Sequence, residues 1–258
     1  MSGKTRTGAI GTEYVSPEGL RLDGRRAGEI RRLQAFVGVE PAYDGSAMFR
    51  MGNTVVVATV RGPAEGTTGG GQTPIRVACE YQLAPFSAKE RKRRTRDRST
   101  VEAGATIARA LEGVVQLQAY PPRACVHVCV RVMQNDGGAR ACALNAAVLA
   151  CTDAGVPMAD TICACSAGAI DGTAILDMNA AEESAGGAEC TLALLAQTGQ
   201  VSMLEMDSRL AADVFKEVVS LASKGTQLVY SKMCSAMRGS AAEAIAARGT
   251  VVKFTDLS

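Results

Sequence analysis

The turn at Gly137-Gly138-Ala139-Arg140 has the residue types of an anion site. It follows an apolar alternating segment and precedes a predicted helix. Free backbone amides at a helix N-terminus attract anions, and glycines let a phosphate approach the backbone. An arginine in the first turn can add a charge-assisted hydrogen bond to the same anion. We therefore weigh a phosphate site at Gly138, Ala139 and Arg140 against a plain tight turn with a solvated arginine.

Four carboxylates surround the glycine pair at positions 186 and 187, and they belong to Asp177, Glu182, Glu183 and Glu189. Paired carboxylates can hold a divalent metal or transfer protons. Loop glutamates that only face solvent are the plainer alternative. The sequence leaves both interpretations open.

A basic segment lies between positions 89 and 98 and contains Lys89, Arg91, Lys92, Arg93, Arg94, Arg96 and Arg98. Such a run is either a solvated loop or a patch that attracts a polyanion. Aromatic residues make up 4% of the chain and tryptophan is absent. Any RNA binding is therefore expected to use backbone phosphates and not base stacking.

His127 lies between Cys125 and Cys129 on one face of a predicted strand, which superficially resembles a set of metal ligands. Alternate strand residues are about 6.5–7 Å apart, so compact tetrahedral coordination by all three would be strained. We predict no metal site there. The nine cysteines are expected to be reduced core residues, because no secretory signal accompanies them.

Strands and helices alternate along the chain, which predicts an α/β fold. Ser99 to Glu102 has the form of a capping box at a helix start. Gly52-Asn53 predicts a hairpin turn. The expected strands are 33–39, 46–60, 76–82, 125–134, 175–179, 192–196 and 201–206, and the expected helices run from about 99, from 140 to 154, and from near 208.

The overall composition is that of a soluble globular protein. The 258 residues are 47% hydrophobic and 21% charged, with a net charge of +2. No apolar run reaches the length of a membrane span, and the first residues lack the apolar core of a signal peptide. We expect no membrane association.

Several short motifs together resemble the RNase PH family, in collinear order over residues 16–238. They are Leu22-Asp23-Gly24-Arg25-Arg26, Phe86-Ser87-Ala88-Lys89-Glu90-Arg91, Asp136-Gly137-Gly138-Ala139-Arg140, Asp153-Ala154-Gly155-Val156-Pro157, Cys165-Ser166-Ala167-Gly168, Leu176-Asp177-Met178-Asn179 and Glu183-Ser184-Ala185-Gly186-Gly187-Ala188-Glu189. The resemblance implies one RNase PH-like domain at 21–238, with a mixed sheet covered by helices in two layers. Residues 1–20 would then form an N-terminal arm, and residues 239–258 a helical extension and tail.

The resemblance also implies function. Exosome members of the family form hexameric rings of RNase PH-like subunits that thread RNA through a central channel. Active members cleave the terminal phosphodiester with phosphate and Mg²⁺ and release nucleoside diphosphates. The implied partners are RNA, other ring subunits, cap subunits and a hydrolytic nuclease, but not DNA, and the implied locations are nucleus, nucleolus and cytoplasm.

Three departures from the family pattern fall in one site. Ala139 stands where the family has threonine or serine, and Glu183 and Glu189 replace two aspartates. Of an RNA-gripping arginine pair, Arg98 is kept but Ser99 replaces its neighbour. Shifts of about 1 Å can cost on the order of a hundredfold in rate. We therefore expect a ring subunit that binds RNA through Arg91, Lys92, Arg93, Arg94, Arg96 and Arg98, without catalysis or cofactor.

Two alternatives remain open from the sequence. The chain could be an active phosphate-dependent 3′-to-5′ exoribonuclease, since two carboxylates and Arg140 persist; Mg²⁺ and inorganic phosphate would then be required. It could also be a stand-alone RNA-binding module that uses the basic segment.

Overall fold

The computed structural model describes residues 14–16, 18–65, 76–89, 91, 97–121, 124–170 and 172–247. Its strands are β1 Leu33–Val37, β2 Gly45–Met51, β3 Thr54–Glu65, β4 Arg76–Leu83, β5 Ala124–Gln134, β6 Ile162–Ile170, β7 Thr173–Leu176, β8 Ala188–Leu195 and β9 Val201–Met206. Its helices are α1 Arg98–Glu112, α2 Ala139–Asp153, α3 Ala180–Ser184 and α4 Ala212–Ala247, and a short 3-10 helix spans Leu117–Ala119.

The strands form two sheets. The first has the order β1-β2-β3-β5-β4, with only β4 and β5 parallel. The second has the order β7-β6-β8-β9 and is antiparallel throughout. Helix α1 packs on β4, and α4 packs on β6, β7 and β8. The predicted α/β class with a mixed sheet and helices is confirmed, but two sheets stand where one was expected.

Helix α2 lies between the two sheets and contacts β2 and β3 of the first and β6 of the second. Every residue from Ala141 to Cys151 is buried. A helix that is apolar on all sides is typical of such a central position. The position of α2 places its N-terminus, the predicted anion turn, where segments of both sheets meet.

Strand β6 explains why the second sheet was not recognised as a separate layer. All nine of its residues are buried, because α2 and α4 both pack against it. A strand buried on both faces has no polar alternation. The segment Ile162–Ile170 therefore lacks the pattern that correctly predicted β5, where Val126, Val128, Val130 and Val132 are buried on one face.

One of two predicted element boundaries is confirmed by the structure and the other is wrong. The turn at Gly52-Asn53 is confirmed, since β2 ends at Met51 and β3 begins at Thr54. The capping box from Ser99 to Glu102 is wrong, because the N-cap of α1 is Asp97, two residues before Ser99, and it makes no side-chain cap hydrogen bond. A capping box is instead present at α3, between Asn179 and Glu182.

Helix α4 continues without a break past residue 238 to Ala247. Within the described part of the chain, no helix is both long enough and apolar enough to cross a membrane.

Candidate active site and RNA interface

A cleft of about 200 Å³ opens where the two sheets approach α2. Four separate segments contribute the residues singled out from the sequence. The lining includes Ser99, Ala139, Arg140, Glu183 and Glu189, together with Tyr81, Leu83, Thr100, Ala103, Asn135, Thr191, Glu205 and Asp207. The fold therefore brings the predicted anion turn, the predicted carboxylate pair and the start of α1 to one place.

The anion turn requires its glycines. Gly137 and Gly138 have φ angles of 88° and 65°, a region that side chains with a Cβ rarely adopt. A Cβ at Gly137 would also collide with the Met178 carbonyl oxygen. The turn therefore packs directly against the backbone that leads into α3.

The Gly138 amide is already hydrogen-bonded within the protein. It donates to Glu183 Oε1 over 2.7 Å. The internal carboxylate takes the place of an external anion at this end of α2, which is a favourable position for a negative charge. The turn thus binds an anionic group as predicted, but that group is the Glu183 carboxylate of the same chain.

Arg140 is also engaged by a carboxylate of the chain. Its Nη1 donates to Glu205 Oε2 over 2.9 Å. Burial by itself lowers the pKa of Arg140, but the hydrogen bond to Glu205 and the charges of Glu205, Asp207 and Glu189 together outweigh burial and raise it. Sequence reasoning missed Glu205, whose only signal was a charged residue inside the apolar strand β9.

The two glutamates at the family's aspartate positions are partly buried in the cleft. Burial, and then the neighbouring Glu183, raises the pKa of Glu189 to about 7. Burial also raises the pKa of Glu183, against the opposing effect of the Gly138 amide. With Glu205 and Asp207 nearby, the cleft concentrates negative charge around one arginine.

Asp177 and Glu182 are not part of the cleft. Both are fully buried, and each is paired with an arginine from the N-terminal segment. Arg21 Nε donates to Glu182 Oε1 over 2.8 Å, and Arg31 Nη2 donates to Asp177 Oδ1 over 2.6 Å. Neither the metal or acid–base role nor the solvated-loop role considered for them is correct.

Arg31 connects this buried pair to the anion turn. Besides Asp177, it donates to the carbonyl oxygens of Asp136, over 2.5 Å, and Gly137, over 3.0 Å. Asp177 itself has a φ angle of 53°, an uncommon value for a residue with a side chain. These contacts fix the turn before α2 relative to the segment that carries Glu183.

The basic segment is described only at its ends. Lys89, Arg91 and Arg98 are exposed. Arg98 opens α1, directly before two residues that line the cleft, Ser99 and Thr100. The predicted RNA-binding residues Lys92, Arg93, Arg94 and Arg96 lie outside the described residues.

The Cys125-His127-Cys129 trio is exposed or half-buried on β5. Among the described residues, no group of three or more His, Cys, Asp or Glu side chains is arranged to hold a metal ion. All nine cysteines are free thiols, as predicted, although Cys79, Cys125, Cys129 and Cys234 are only partly buried.

Comparison with known proteins identifies the class defined by this fold and cleft. The 3′ exoribonuclease (RNase PH) family matches with its domain 1 over residues 29–157 and with its domain 2 over residues 160–225. The chain belongs to this family, which confirms the resemblance found in the sequence. The boundary between the two models falls between α2 and β6, so the family divides the chain where the structure changes sheets.

Within the family, similar proteins include components of exosomes. The chain is 43% identical to the exosome complex component RRP41 of Mus musculus over 93% of this chain and 99% of that protein. It is 39% identical to the Rrp41 component of Thermococcus kodakarensis over 88% and 92% of the two chains.

Solved structures that share the fold include two with low sequence identity to this chain. The crystal structure of rice Rrp46 aligns with a TM-score of 0.73 and 23% identity, covering 83% of this chain and 98% of that chain. A chain from the Archaeoglobus fulgidus exosome with RNA bound to the active site aligns with a TM-score of 0.72 and 20% identity, covering 83% and 93%.

Proposed function

We propose that this chain is an RNase PH-like ring subunit of an RNA exosome, which binds and threads RNA without catalysing phosphorolysis itself. The near full-length similarity to exosome components supports the ring assignment. The observation that carries the loss of catalysis is the hydrogen bond from the Gly138 amide to Glu183.

Phosphorolysis needs an inorganic phosphate next to the end of the RNA. Here the Gly138 amide donates its hydrogen bond to Glu183, and the Arg140 guanidinium donates to Glu205. Ala139 offers no hydroxyl. A phosphate would have to displace two carboxylates. It would also approach Glu189 and Asp207, which line the same cleft, and like charges that lie close together repel each other. The arrangement of the site therefore disfavours phosphate binding and, with it, phosphorolysis.

RNA binding is assigned to the exposed cations Arg91 and Arg98, and to Lys92, Arg93, Arg94 and Arg96. Such contacts to phosphates are independent of base sequence. The partners of the ring would be further RNase PH-like subunits, cap subunits and a hydrolytic nuclease. The complex would act in the nucleus, nucleolus and cytoplasm, with no cofactor of its own.

An active phosphorolytic exoribonuclease is the second candidate. Glu183, Glu189 and Arg140 line one cleft, so the carboxylate pair of the family keeps its place beside the arginine. Glutamate oxygens can bind Mg²⁺ as aspartate oxygens do. Mg²⁺ and inorganic phosphate would be required in this case.

The test uses the ring assembled from its RNase PH-like subunits without any hydrolytic nuclease. RNA, phosphate and Mg²⁺ are supplied, and nucleoside diphosphates are measured. We expect RNA binding and no diphosphate. Diphosphate release that disappears in the Arg140→Ala and Glu189→Ala variants would establish the enzyme instead.

A further inference from the structure

Phe86 is the most exposed large apolar side chain among the described residues, at 69% of its surface. Burying a phenylalanine is worth about 1.5–3 kcal/mol, so such exposure is unfavourable in the isolated chain. Aromatic residues are only 4% of this sequence. The exposed ring of Phe86 is therefore a candidate contact for a binding partner that would cover it.

The backbone around Phe86 is held in place on both sides. The Ala84 amide donates to the Val132 carbonyl over 3.0 Å, and the Ser87 amide donates to the Ala84 carbonyl over 2.9 Å. The Ser87 carbonyl in turn accepts from the Asn135 amide over 2.8 Å, and Ser87 is buried. The turn thus presents the ring from a fixed backbone, so that little conformational entropy is lost when the ring binds.

This turn lies at the rim of the cleft. Leu83, three residues before Phe86, and Asn135, the hydrogen-bond partner of Ser87, both line the cleft. Lys89 and Arg91 are exposed in the same segment. An aromatic face next to cations is the combination that binds single-stranded nucleic acid, since bases stack on the ring while phosphates contact the charges.

We propose that Phe86 is a stacking platform for a nucleobase of single-stranded RNA at the entrance of the cleft, with Lys89 and Arg91 contacting the adjoining phosphates. The inference rests on the proposed RNA-binding function and adds a base contact to it. It modifies the expectation that this chain binds RNA through phosphates alone. Because every base has a π face, the platform discriminates little between sequences.

Phe36 offers a matched control. It is also exposed, at 46%, but it lies on β1, the edge of the first sheet opposite to β4. Its replacement removes the same side chain from a surface that does not line the cleft.

The experiment measures the affinity of the assembled ring for a fluorescent oligoadenylate, and for oligoadenylates with one abasic nucleotide moved along the strand. We expect Phe86→Ala to weaken binding about tenfold, Phe86→Tyr to retain it, and Phe86→Leu to behave like Phe86→Ala. One abasic position should weaken the wild-type ring and leave Phe86→Ala unchanged. Phe36→Ala should bind like the wild type.

Three results would overturn the platform. Phe86→Ala could bind like Phe36→Ala, Phe86→Leu could bind like the wild type, or Phe86→Ala could fail to enter the ring on size-exclusion chromatography, which would make Phe86 a subunit contact. A wild-type ring that binds no RNA would overturn the proposed function as well. If the wild-type ring binds RNA and the Phe86 variants bind it with the same affinity, the stacking platform is wrong but the proposed function still holds.

Discussion

Glu183 has the most informative contact at the residue scale. Its carboxylate accepts from the Gly138 amide, so one side chain fills the position that the family resemblance assigns to phosphate. An aspartate is shorter by one C–C bond, which is about 1.5 Å. The extra length of the glutamate side chain at position 183, compared with aspartate, therefore helps to decide whether the turn can bind an external anion.

Removing this carboxylate should expose the anion site. We expect Glu183→Ala to bind inorganic phosphate about tenfold more tightly than the wild type, because a hydrogen bond to a charged group contributes about 1.5–3 kcal/mol. Isothermal titration with phosphate, at constant ionic strength, measures the change. Glu243→Ala, at an exposed position on α4, is the control, and equal phosphate binding by both variants would contradict the blocked-site explanation.

Glu189 should make the stability of the protein depend on pH. Its pKa is raised from 4.5 to about 7 by burial and by Glu183, so ionisation destabilises the folded state. The native protein retains this proton between pH 4.5 and 7 while the unfolded chain has lost it, and stability from this group therefore falls as pH rises through that window. The loss is complete above pH 7 and amounts to about 3 kcal/mol at most.

The Glu189→Gln variant removes this ionisation. We expect it to be more stable than the wild type at pH 8, and to differ little from it at pH 4.5, by urea unfolding at both values. Glu243→Gln serves as the exposed control. A Glu189→Gln difference that is the same at both pH values would contradict the assignment.

At the scale of elements, the buried arginines hold the α2 turn against the β7–α3 segment. Arg31 donates to Asp177 and to the carbonyls of Asp136 and Gly137, and all of these lie just before α2 or α3. Removing one partner of a buried ion pair leaves the other charge unpaired. The geometry between Gly138 and Glu183 depends on this connection.

We expect Arg31→Ala to lower the free energy of unfolding by about 3–5 kcal/mol. Urea denaturation followed by circular dichroism measures it. The exposed pair Lys216–Asp213 is the comparison, since surface ion pairs contribute little, and Lys216→Ala should change stability hardly at all. A similar small effect of both variants would show that the Arg31 network is not structural.

At the scale of the whole molecule, the two sheets share α2 and place the cleft between them. Arg98 opens α1 directly before Ser99 and Thr100, which line the cleft together with carboxylates from α3, β8 and β9. Phosphates of an RNA strand would be attracted by the rim and repelled by the floor of the cleft. This arrangement suits a subunit that guides RNA past the site.

The salt dependence of RNA binding tests that arrangement. The affinity of the assembled ring should fall linearly with the logarithm of salt concentration, and Arg98→Ala should reduce the slope by about one, since one phosphate contact is lost. Arg238→Ala, on the exposed part of α4, should keep the wild-type slope. An unchanged slope for Arg98→Ala would show that Arg98 does not contact an RNA phosphate.

The sequence by itself determined the features that depend on near neighbours. The alternation in β5, the Gly52-Asn53 turn and the start of α2 at the glycine pair are encoded within a few residues, and so are the motifs of the family. Only the tertiary structure decided how the site is arranged, because its decisive contacts join distant segments. Gly138 and Glu183 are 45 positions apart, Arg140 and Glu205 are 65 apart, and Arg31 and Asp177 are 146 apart. No local pattern encodes such contacts, so the sequence revealed Arg140, Glu183 and Glu189 as candidate groups, and the fold added Glu205 and showed which of these groups neutralise one another.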